Sequence, residues 1–563
     1  MPVNQYEELL ADALERALHK AYRLPKEEFS RLKPTLLEIP KEKAFGDISS
    51  SVALKLASLL KQAPRDIAQG LVSFLRTEID RSGLKALVTK IEVAGAGFIN
   101  FTFSPAYFYS FLDSIIKTRG KSLLKTEKAK RVMVEFVSAN PTGPLSVAHG
   151  RQAAVGDALS GILEFLGHKV KREYYLNDEG NQINILGNSI YLRLRELSGE
   201  KVEFPEDHYQ GEYIIDLARE LLKTPAPNAA TQRSARDQKP EFFREYGVKR
   251  ILEIIRKELE DFGVRFDFWY SQALLRKSGK INKAIALLKK KGFIYEKEGA
   301  VWFASTKFCD DKDRVIIKSD GSYTYLAPDI AYHQDKFKRG FNWLINLWGP
   351  DHHGYINRLK SSVEALGKQR NSLDIIIVQL ATLFKEGKVV SMSTRKGEYV
   401  TLRQVLDEVG PDAARFFFMM RKTASHLDFD LELAKKQSSE NPVYYVQYAH
   451  ARICNILANA AAPGASIKKA DLSLLKEKEE IELLNVLAEF TYALKLAEIQ
   501  LDPYCLTAYL QELAESFHRF YDTHRVLGED KNLQQARLSL ILGCKIIIAL
   551  CLGLLGVSAP EKM

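Results

Sequence analysis

The chain is poor in cysteine and lacks the spacings that disulfide frameworks or cysteine-held metals need. It contains five cysteines among 563 residues, and no two of them form a C-x-x-C pair. The odd number and the scattered positions disfavour both kinds of site and fit a reducing cytosol. The first residues, MPVNQYEELL, have no apolar core of a signal peptide. We therefore expect a cytoplasmic protein without a resident metal.

Long apolar runs are almost absent as well. One run, LSLILGCKIIIALCLGLLGV at 538–557, is long enough to cross a bilayer. It carries Lys545 in its middle, and three glycines interrupt it. A helix that is apolar on all sides usually lies in a protein interior, so we expect a buried terminal helix and no membrane. A membrane-tethered protein is the alternative.

The composition describes a globular chain with a basic surplus. Hydrophobic residues make up 46% and charged residues 27% of the sequence, which disfavours extensive disorder. A chain of this length exceeds one core, so about three or four domains are expected. The formal net charge of +10 is compatible with nucleic acid binding, although a solvated basic surface gives the same value.

The order of strand and helix patterns predicts a multidomain α/β plus all-α protein with a Rossmann-type parallel sheet. The predicted elements of this sheet are strands at 132–137, 169–175, 343–348 and 375–379, with helices at 147–166 and after Gly354. We place an N-terminal α+β module at 1–120, a catalytic domain at 121–436 with a helical insertion at about 185–320, and a C-terminal helical bundle at 437–563. Asp47 to Leu54 reads as a capped helix start. No strand is expected after about Asp407.

The stretch SANPTGPLSVAHGR at 138–151 joins a predicted strand to a predicted helix. Free backbone N–H groups and the helix dipole at such a junction favour an anion. Gly143 lets the backbone bend or approach a ligand, and His149 in the first turn can donate to a phosphate. The alternative is an ordinary strand-to-helix connection.

A second segment, VSMSTRKG at 390–397, is basic and rich in small residues. Arg395 and Lys396 can neutralise charge that develops on a leaving pyrophosphate. It follows a predicted parallel strand, at the edge where open α/β sheets bind ligands. The alternative is a plain surface loop.

The motifs of the chain resemble those of arginyl-tRNA synthetases, which are class I aminoacyl-tRNA synthetases. The resemblance extends over almost the whole chain. The motifs are FGDISSSVALKLA, SANPTGPL, YYLNDEGNQI, GVRFDFWYS, DGSYTYLAPDIAYH, WGPDHHGY, MSTRKG, NPVYYVQYAHAR and LLGVSAPEKM. The resemblance implies an arginine–tRNA ligase that activates arginine with ATP and transfers it from arginyl-adenylate to the terminal adenosine of tRNA(Arg). It also implies that Mg²⁺ arrives with ATP, that the 1–120 module contacts the outer corner of the tRNA, and that the protein is a monomer.

The sequence departs from the two signatures of class I enzymes. Ser146 stands where the HIGH signature has its first histidine, and Ala148 stands where it has glycine. His149, the second histidine, is retained. Ser391 and Thr394 stand where the KMSKS signature has lysines, and the cations follow one or two residues later. We expect an active site that is altered but keeps its hydrogen-bond donors and cations.

The resemblance also implies roles for individual residues. Catalytic roles fall on His149, Ser146, Arg395 and Lys396. ATP binding falls on Ala139, Asn140, Pro141, Thr142, Gly143, Pro144, Leu145, Val147 and Ala148, and on Asp351, His352, Met392 and Ser393. Arginine binding falls on Glu135, Asn140, Tyr325, Asp329 and Gln272. Gln272 stands where many members have a glutamate, which shifts the recognition of the guanidinium onto Asp329.

The helical C-terminal region resembles the anticodon-binding domain of the same family. The residues assigned to tRNA binding are Tyr444, Tyr448, Arg452, Arg519 and Met563. Unpaired bases can stack on aromatic rings while cations meet phosphates. For each single tyrosine, packing within the helical bundle is the alternative.

Two further functions fit parts of the pattern. A class I synthetase for another amino acid would keep the fold and the signatures. A non-catalytic RNA-binding paralogue would explain Ser146 and Ala148, because it would bind tRNA without making an adenylate.

Overall fold

The computed structural model describes residues 4–23, 36–40, 45–121, 123–126, 128–223, 238–389, 399–460, 470–528 and 530–563. The chain forms two compact units. One contains residues 1–125, 438–554 and 558–563, and the other contains residues 126–437 and 555–557. The second signature segment at 390–397 and most of the predicted surface loop at 224–240 lie outside the described residues.

The N-terminal part of the first unit is a small α+β module. Its elements are α1 (Asn4–Tyr22), β1 (Ile48–Ser50), α2 (Val52–Leu60), α3 (Pro64–Arg81), β2 (Val88–Ala94), β3 (Phe98–Phe103) and α4 (Pro105–Thr118). The three strands form an antiparallel sheet in the order β1-β3-β2.

The helix start expected at Asp47 to Leu54 is wrong in its first half. Residues 48–50 form β1, and helix α2 begins only at Val52. The Asp47 carboxylate accepts a hydrogen bond from the backbone N–H of Phe103 at 2.7 Å instead of capping a helix. The partner strand lies about fifty residues away in sequence, so a reading of local capping residues could not reveal this pairing.

The second unit contains the parallel sheet and its insertions. Its elements are β4 (Arg131–Glu135), α5 (Val147–Phe165), β5 (Lys169–Leu176), α6 (Asn181–Leu197), α7 (Glu212–Lys223), α8 (Pro240–Asp261), β6 (Phe268–Ser271), α9 (Gln272–Lys277), α10 (Lys280–Lys290), β7 (Ile294–Lys297), β8 (Ala300–Phe303), β9 (Arg314–Ile317), α11 (Leu326–Lys338), β10 (Trp343–Trp348), α12 (Ile356–Ala365), β11 (Leu373–Ile377), β12 (Ala381–Lys385), β13 (Lys388–Val389), α13 (Leu402–Phe418), β14 (Leu427–Asp430) and α14 (Leu431–Lys435).

Five parallel strands form the main sheet in the order β11-β10-β4-β5-β6. The chain leaves β4 towards β5 on one side and returns later to β10 on the other side. Ligands of open α/β sheets bind where the strand order reverses, at the carboxyl ends of the strands. The sheet therefore places the loops after β4 and β10 side by side, and the predicted fold class is confirmed.

The predicted insertion range of 185–320 contains more than helices. Strand β6 lies inside that range and returns to the parallel sheet beside β5. Strands β7, β8 and β9 then form a separate antiparallel sheet before α11.

The expectation of no strand after about Asp407 is wrong at one place. Strand β14 pairs in parallel with β12, with Leu427 and Phe429 buried and Asp428 and Asp430 exposed. A four-residue alternation between two helices is too short to identify a strand from sequence, because the pairing partner decides it.

The C-terminal part of the first unit is helical in its described residues. Its helices are α15 (Pro442–Ala460), α16 (Lys478–Ala488), α17 (Phe490–Gln500), α18 (Tyr504–Thr523) and α19 (Lys531–Leu554). Within the described part of the chain, α19 is the one helix long and apolar enough to cross a membrane. Of its most apolar stretch of 18 residues, 61% is buried. It packs against α4, α15 and α18, which supports the buried-helix interpretation over the membrane anchor.

Candidate active site

A cavity of about 980 Å³ opens at the carboxyl ends of β4 and β10. Many of the residues assigned from the sequence line it together. They are Glu135, Ala139, Asn140, His149, Gln272, Tyr325, Asp329, Asp351 and His352. The residues from Pro141 to Ala148 belong to the loop and first helical turn beside the cavity, but they do not line it. Met392, Ser393, Arg395 and Lys396 lie outside the described residues.

The loop after β4 begins with two residues in a left-handed backbone conformation. Val137 has φ of 66° and Ser138 has φ of 41°. Such values are costly for a residue with a branched Cβ, and they cluster at functional sites. Two hydrogen bonds from β5 hold the turn. The backbone N–H of Tyr175 donates to Ser138 Oγ at 3.1 Å, and the Tyr174 hydroxyl donates to the Ala139 carbonyl at 2.9 Å.

Ser146 and His149 form the N-terminal cap of α5. The backbone N–H of Ser146 donates to His149 Nδ1 at 3.2 Å, and Ser146 Oγ lies 3.1 Å from the same nitrogen. Burial lowers the pKa of His149 to about 4, so the ring is neutral at physiological pH. Because Nδ1 accepts, the proton of the neutral ring sits on Nε2. His149 is therefore a hydrogen-bond donor to the cavity, and it carries no positive charge.

Asp329 and Tyr355 form the acidic end of the cavity. The Tyr355 hydroxyl donates to Asp329 Oδ2 at 2.7 Å. Burial raises the pKa of Asp329 to about 7; the nearby Glu135 charge contributes to this rise, and the Tyr355 hydrogen bond opposes it. Tyr325 precedes α11 and is 78% exposed, so its ring is accessible at the rim. A cationic ligand beside Asp329 would favour the ionised carboxylate.

Glu135 is held by a fully buried lysine. Lys336 Nζ contacts the Glu135 carboxylate and donates to Asn346 Oδ1 at 3.3 Å. The Asn346 amide donates to His333 Nε2 at 2.9 Å, and His333 Nδ1 donates to the Asp329 carbonyl at 2.8 Å. Burial lowers the pKa of His333 to about 3, which keeps this ring neutral. The chain of contacts links Glu135 to the backbone of Asp329.

Two amides complete this side of the cavity. Asn140 donates to Gln182 Oε1 at 2.6 Å and accepts from the Asn177 amide at 3.2 Å. The Tyr175 hydroxyl donates to Gln272 Oε1 at 2.9 Å. The Gln272 amide donates to Glu179 Oε1 at 3.1 Å, so the Glu179 carboxylate lies directly behind the glutamine side chain.

The other end of the cavity follows β10. Asp351 and His352 lie in a 3-10 turn, Pro350–Tyr355, and both are exposed. The Trp348 ring lies beside them, 5.9 Å from the His352 ring. No group of three or more metal-ligating side chains occurs among the described residues. An aromatic ring next to polar groups at this rim can accept a flat base and a ribose.

Sequence reasoning missed several residues that line the cavity. Tyr355 is the last residue of the WGPDHHGY motif, so the motif itself is the signal that marks it. Trp302 and Arg314 come from the antiparallel sheet of β7–β9, which no motif marked. Arg358 lies with its guanidinium 4.8 Å from the centre of the Tyr355 ring, and its buried Nε has no hydrogen-bond partner among the described residues.

The residues assigned to tRNA binding lie in the helical part of the other unit. The Tyr444 and Tyr448 rings stack with centroids 6.2 Å apart. The Arg452 guanidinium lies 5.3 Å from the Tyr448 ring centre and 4.3 Å from that of Tyr521. These residues therefore form one half-buried aromatic and basic group. Arg519 instead pairs with Glu515 at 2.7 Å, and Met563 is about half exposed.

Three family models match this chain in consecutive ranges. The model described as tRNA synthetases class I (R), catalytic domain, matches residues 112–455. The model of the arginyl tRNA synthetase N terminal domain matches residues 5–103, and that of the DALR anticodon binding domain matches residues 446–563.

Curated relatives extend over nearly the full chain. The arginine–tRNA ligase of Syntrophotalea carbinolica is 47% identical over 532 residues, which is 94% of each protein. The arginine–tRNA ligase of Bacillus subtilis is 45% identical over 565 residues and covers 99% of each. The solved arginyl-tRNA synthetase of Thermus thermophilus is similar in fold, with a TM-score of 0.75 at 22% identity, and covers 98% of this chain and 99% of its own.

Proposed function

The chain belongs to the arginyl-tRNA synthetase family of class I, as its motifs predicted, and we propose that it is an enzyme that ligates arginine to tRNA(Arg). In the first step the arginine carboxylate attacks the α-phosphate of ATP, which gives arginyl-adenylate and pyrophosphate. In the second step a ribose hydroxyl of the terminal tRNA adenosine takes the arginyl group. Neither step needs a protein nucleophile, so the residues position the reactants and neutralise charge.

The Asp329–Tyr355 pair is the observation that supports arginine as the substrate. It places a carboxylate of fixed orientation in the same cavity as Glu135 and the loop after β4. A guanidinium binds a carboxylate in a planar fork, and Tyr325 at the rim offers a ring on which it can stack. Glu135 and Asn140 then lie within the cavity for the ammonium end of the substrate, and Lys336 holds the Glu135 carboxylate by an ion pair.

The loop after β4 takes the phosphates of ATP. His149 donates through Nε2, and Ser146 acts by holding the His149 ring at the start of the helix. Arg395 and Lys396, with Met392 and Ser393, are assigned to the departing pyrophosphate. Asp351 and His352 take the nucleoside end. Mg²⁺ comes with ATP as part of the substrate, because it prefers phosphate and carboxylate oxygens.

We assign one role to each of the three domains. Residues 1–120 contact the outer corner of the tRNA, residues 121–436 catalyse the reaction, and residues 437–563 bind the anticodon region. Tyr444, Tyr448 and Arg452 form the group on which bases can stack, with Arg519 and Met563 as further contacts. The protein acts in the cytoplasm as a monomer and without a membrane.

Arginine-dependent exchange of pyrophosphate into ATP, measured with and without tRNA(Arg), tests this function. We expect exchange in the presence of the tRNA, and loss of exchange in Asp329→Asn. Asp320→Asn, a surface carboxylate in a turn, is the matched control and should keep wild-type activity. Exchange driven by a different amino acid would indicate another class I specificity. Folded protein that binds tRNA but exchanges nothing would indicate a non-catalytic paralogue.

A further inference from the structure

Three side chains from outside the sheet hold the backbone of the loop at 142–145. The Tyr213 hydroxyl on α7 donates to the Thr142 carbonyl at 2.8 Å, and the Tyr399 hydroxyl donates to the Pro144 carbonyl at 2.9 Å. The backbone N–H of Leu145 donates to Glu258 Oε2 on α8 at 3.1 Å. We call Tyr213, Glu258 and Tyr399 the loop clamp.

The absence of a side chain at Gly143 makes room for the loop clamp. A Cβ atom at position 143 would lie 3.0 Å from the Tyr213 hydroxyl oxygen and 3.3 Å from that of Tyr399. Both distances are tighter than ordinary van der Waals contacts, so a side chain would push the hydroxyls away from the carbonyls on either side. The glycine therefore allows two tyrosines to approach one short stretch of backbone.

The clamp also connects the two signature regions of the sequence. Tyr399 lies two residues after the second signature segment in the sequence, and its neighbours bond to the loop and helix start of the first signature. The backbone N–H of Leu402 donates to the Leu145 carbonyl at 2.7 Å, and that of Val147 donates to the Val400 carbonyl at 3.4 Å. The stretch that opens α13 and the stretch that opens α5 thus form one hydrogen-bonded pair of segments.

We propose that Tyr213, Glu258 and Tyr399 are positioning residues, which fix the Thr142–Leu145 backbone in the geometry that the ATP phosphates require. None of the three lines the cavity, so each acts through the loop and touches no substrate. Misplacing a reacting group by about 1 Å can cost on the order of a hundredfold in rate, which makes such support kinetically visible. This inference rests on the proposed function, because it assumes that the loop binds ATP.

The hydrogen bond between Glu258 and the Leu145 backbone should depend on pH. It is 4% exposed, and burial raises the pKa of its carboxyl to about 7. The groups that face it are Leu145 N–H, Tyr399, Arg403 and Asp407 on α13, and Asp261 on its own helix. An ionised carboxylate accepts a hydrogen bond more strongly than a protonated one. The hold on Leu145 therefore weakens as the pH falls below 7.

The test compares Tyr213→Phe, Tyr399→Phe and Glu258→Gln with wild type in pyrophosphate exchange with tRNA(Arg) present. Each change should raise the KM for ATP by about five- to tenfold, the range that one lost hydrogen bond (either tyrosine) or the lost charge of its acceptor (Glu258) supports, with the KM for arginine within twofold. Tyr246→Phe is the matched control. Its hydroxyl joins the same two helices, α8 to α7, by donating to the Leu217 carbonyl at 3.2 Å instead of to the loop.

The pH profile separates positioning from general packing. In wild type the KM for ATP should rise between pH 8 and pH 6, whereas Glu258→Gln keeps an acceptor without a charge and should show a flat profile. The inference is overturned if the clamp variants match Tyr246→Phe, or if Glu258→Gln keeps the wild-type profile. Equilibrium binding of ATP gives the same comparison without turnover. If wild type exchanges nothing with arginine, the proposed function fails, and the binding data still decide on the clamp.

Discussion

The two ends of the cavity are built in different ways. At the end proposed for arginine, charged and polar side chains that are buried or half-buried hold one another: Lys336 contacts Glu135, and Tyr355 donates to Asp329. At the end proposed for ATP, the backbone loop at 142–145 lies beside the cavity and is held by hydrogen bonds from elements outside the sheet. Side-chain chemistry thus specifies one end, and backbone geometry specifies the other.

This difference explains where the sequence can depart from the signatures. The Ser146 backbone N–H donates to His149 Nδ1 whatever the side chain at position 146, and Ala148 does not line the cavity, so both positions can depart from the signature as long as the helix start stays in place. A buried ionic contact has no such freedom, because removing one partner leaves the other charge unpaired. The comparison predicts large effects at the arginine end and small ones at the altered signature positions.

Lys336→Met should have the largest effect, and it should appear in stability. The substitution keeps most of the length and the apolar stem of the buried side chain but leaves Glu135 without its cation, which costs on the order of 3 to 5 kcal/mol of unfolding free energy. Denaturant unfolding at neutral pH measures this loss. The double variant Glu135→Gln/Lys336→Met should recover a substantial part of it. Equal instability in both variants would mean that packing, and not the charge pair, decides the loss.

Asp329→Asn should abolish the use of arginine while sparing ATP. Replacing the carboxylate by an amide removes the charge that the guanidinium needs and leaves a poorly paired cation in the cavity. We expect kcat/KM for arginine to fall about a thousandfold. The KM for ATP should stay within about threefold, since the ATP end does not depend on this side chain. Exchange kinetics with each substrate varied in turn measure both, and a parallel rise of the two KM values would contradict the division of the cavity.

The sequence predicted the strands and motif residues around this cavity better than the long-range contacts that hold them. The parallel strands β4, β5, β10 and β11 lie within about two residues of their expected positions, because each is a short run rich in β-branched, aromatic or other apolar residues between loops and helices. The short strands β1 and β14 were missed, since their identity depends on a partner strand. Motifs placed Asp329 and His149 in the cavity.

The contacts that tune those residues could not be predicted from a motif. Lys336 and Glu135 are 201 positions apart, and the Glu258 carboxylate is 113 positions from the Leu145 N–H that it accepts. Each pairing exists only once the sheet and its insertions have folded. A lysine on a predicted helix would ordinarily be placed in solvent, and only the three-dimensional structure shows that this one is fully buried.

Tyr355→Phe should shift the pH dependence of arginine use by an intermediate amount. In the proposed site arginine binds ionised Asp329, so the KM for arginine in wild type should rise as the pH falls through about 7. The Tyr355 hydroxyl stabilises the ionised form, and its removal should raise the pKa of Asp329 and move this rise to higher pH. At pH 7 we expect the KM for arginine of Tyr355→Phe to be about tenfold higher than that of wild type.

Kinetics of exchange between pH 6 and pH 9 measure the Tyr355→Phe shift. The Tyr246→Phe variant serves again as the hydroxyl control. An unchanged pH midpoint in Tyr355→Phe would show that the hydroxyl packs beside Asp329 without affecting its ionisation.

Ala148→Gly, which restores the glycine of the HIGH signature, should have the smallest effect. Ala148 lies in the first turn of α5 and does not line the cavity, so its methyl group removes no space from a ligand there. The added backbone freedom of glycine costs at most about 1 kcal/mol of stability in a helix. The KM for ATP should therefore remain within about twofold of wild type in exchange assays. A tenfold gain in ATP affinity would show instead that the nucleotide reaches this turn, and that the ATP end depends on side chains as closely as the arginine end does.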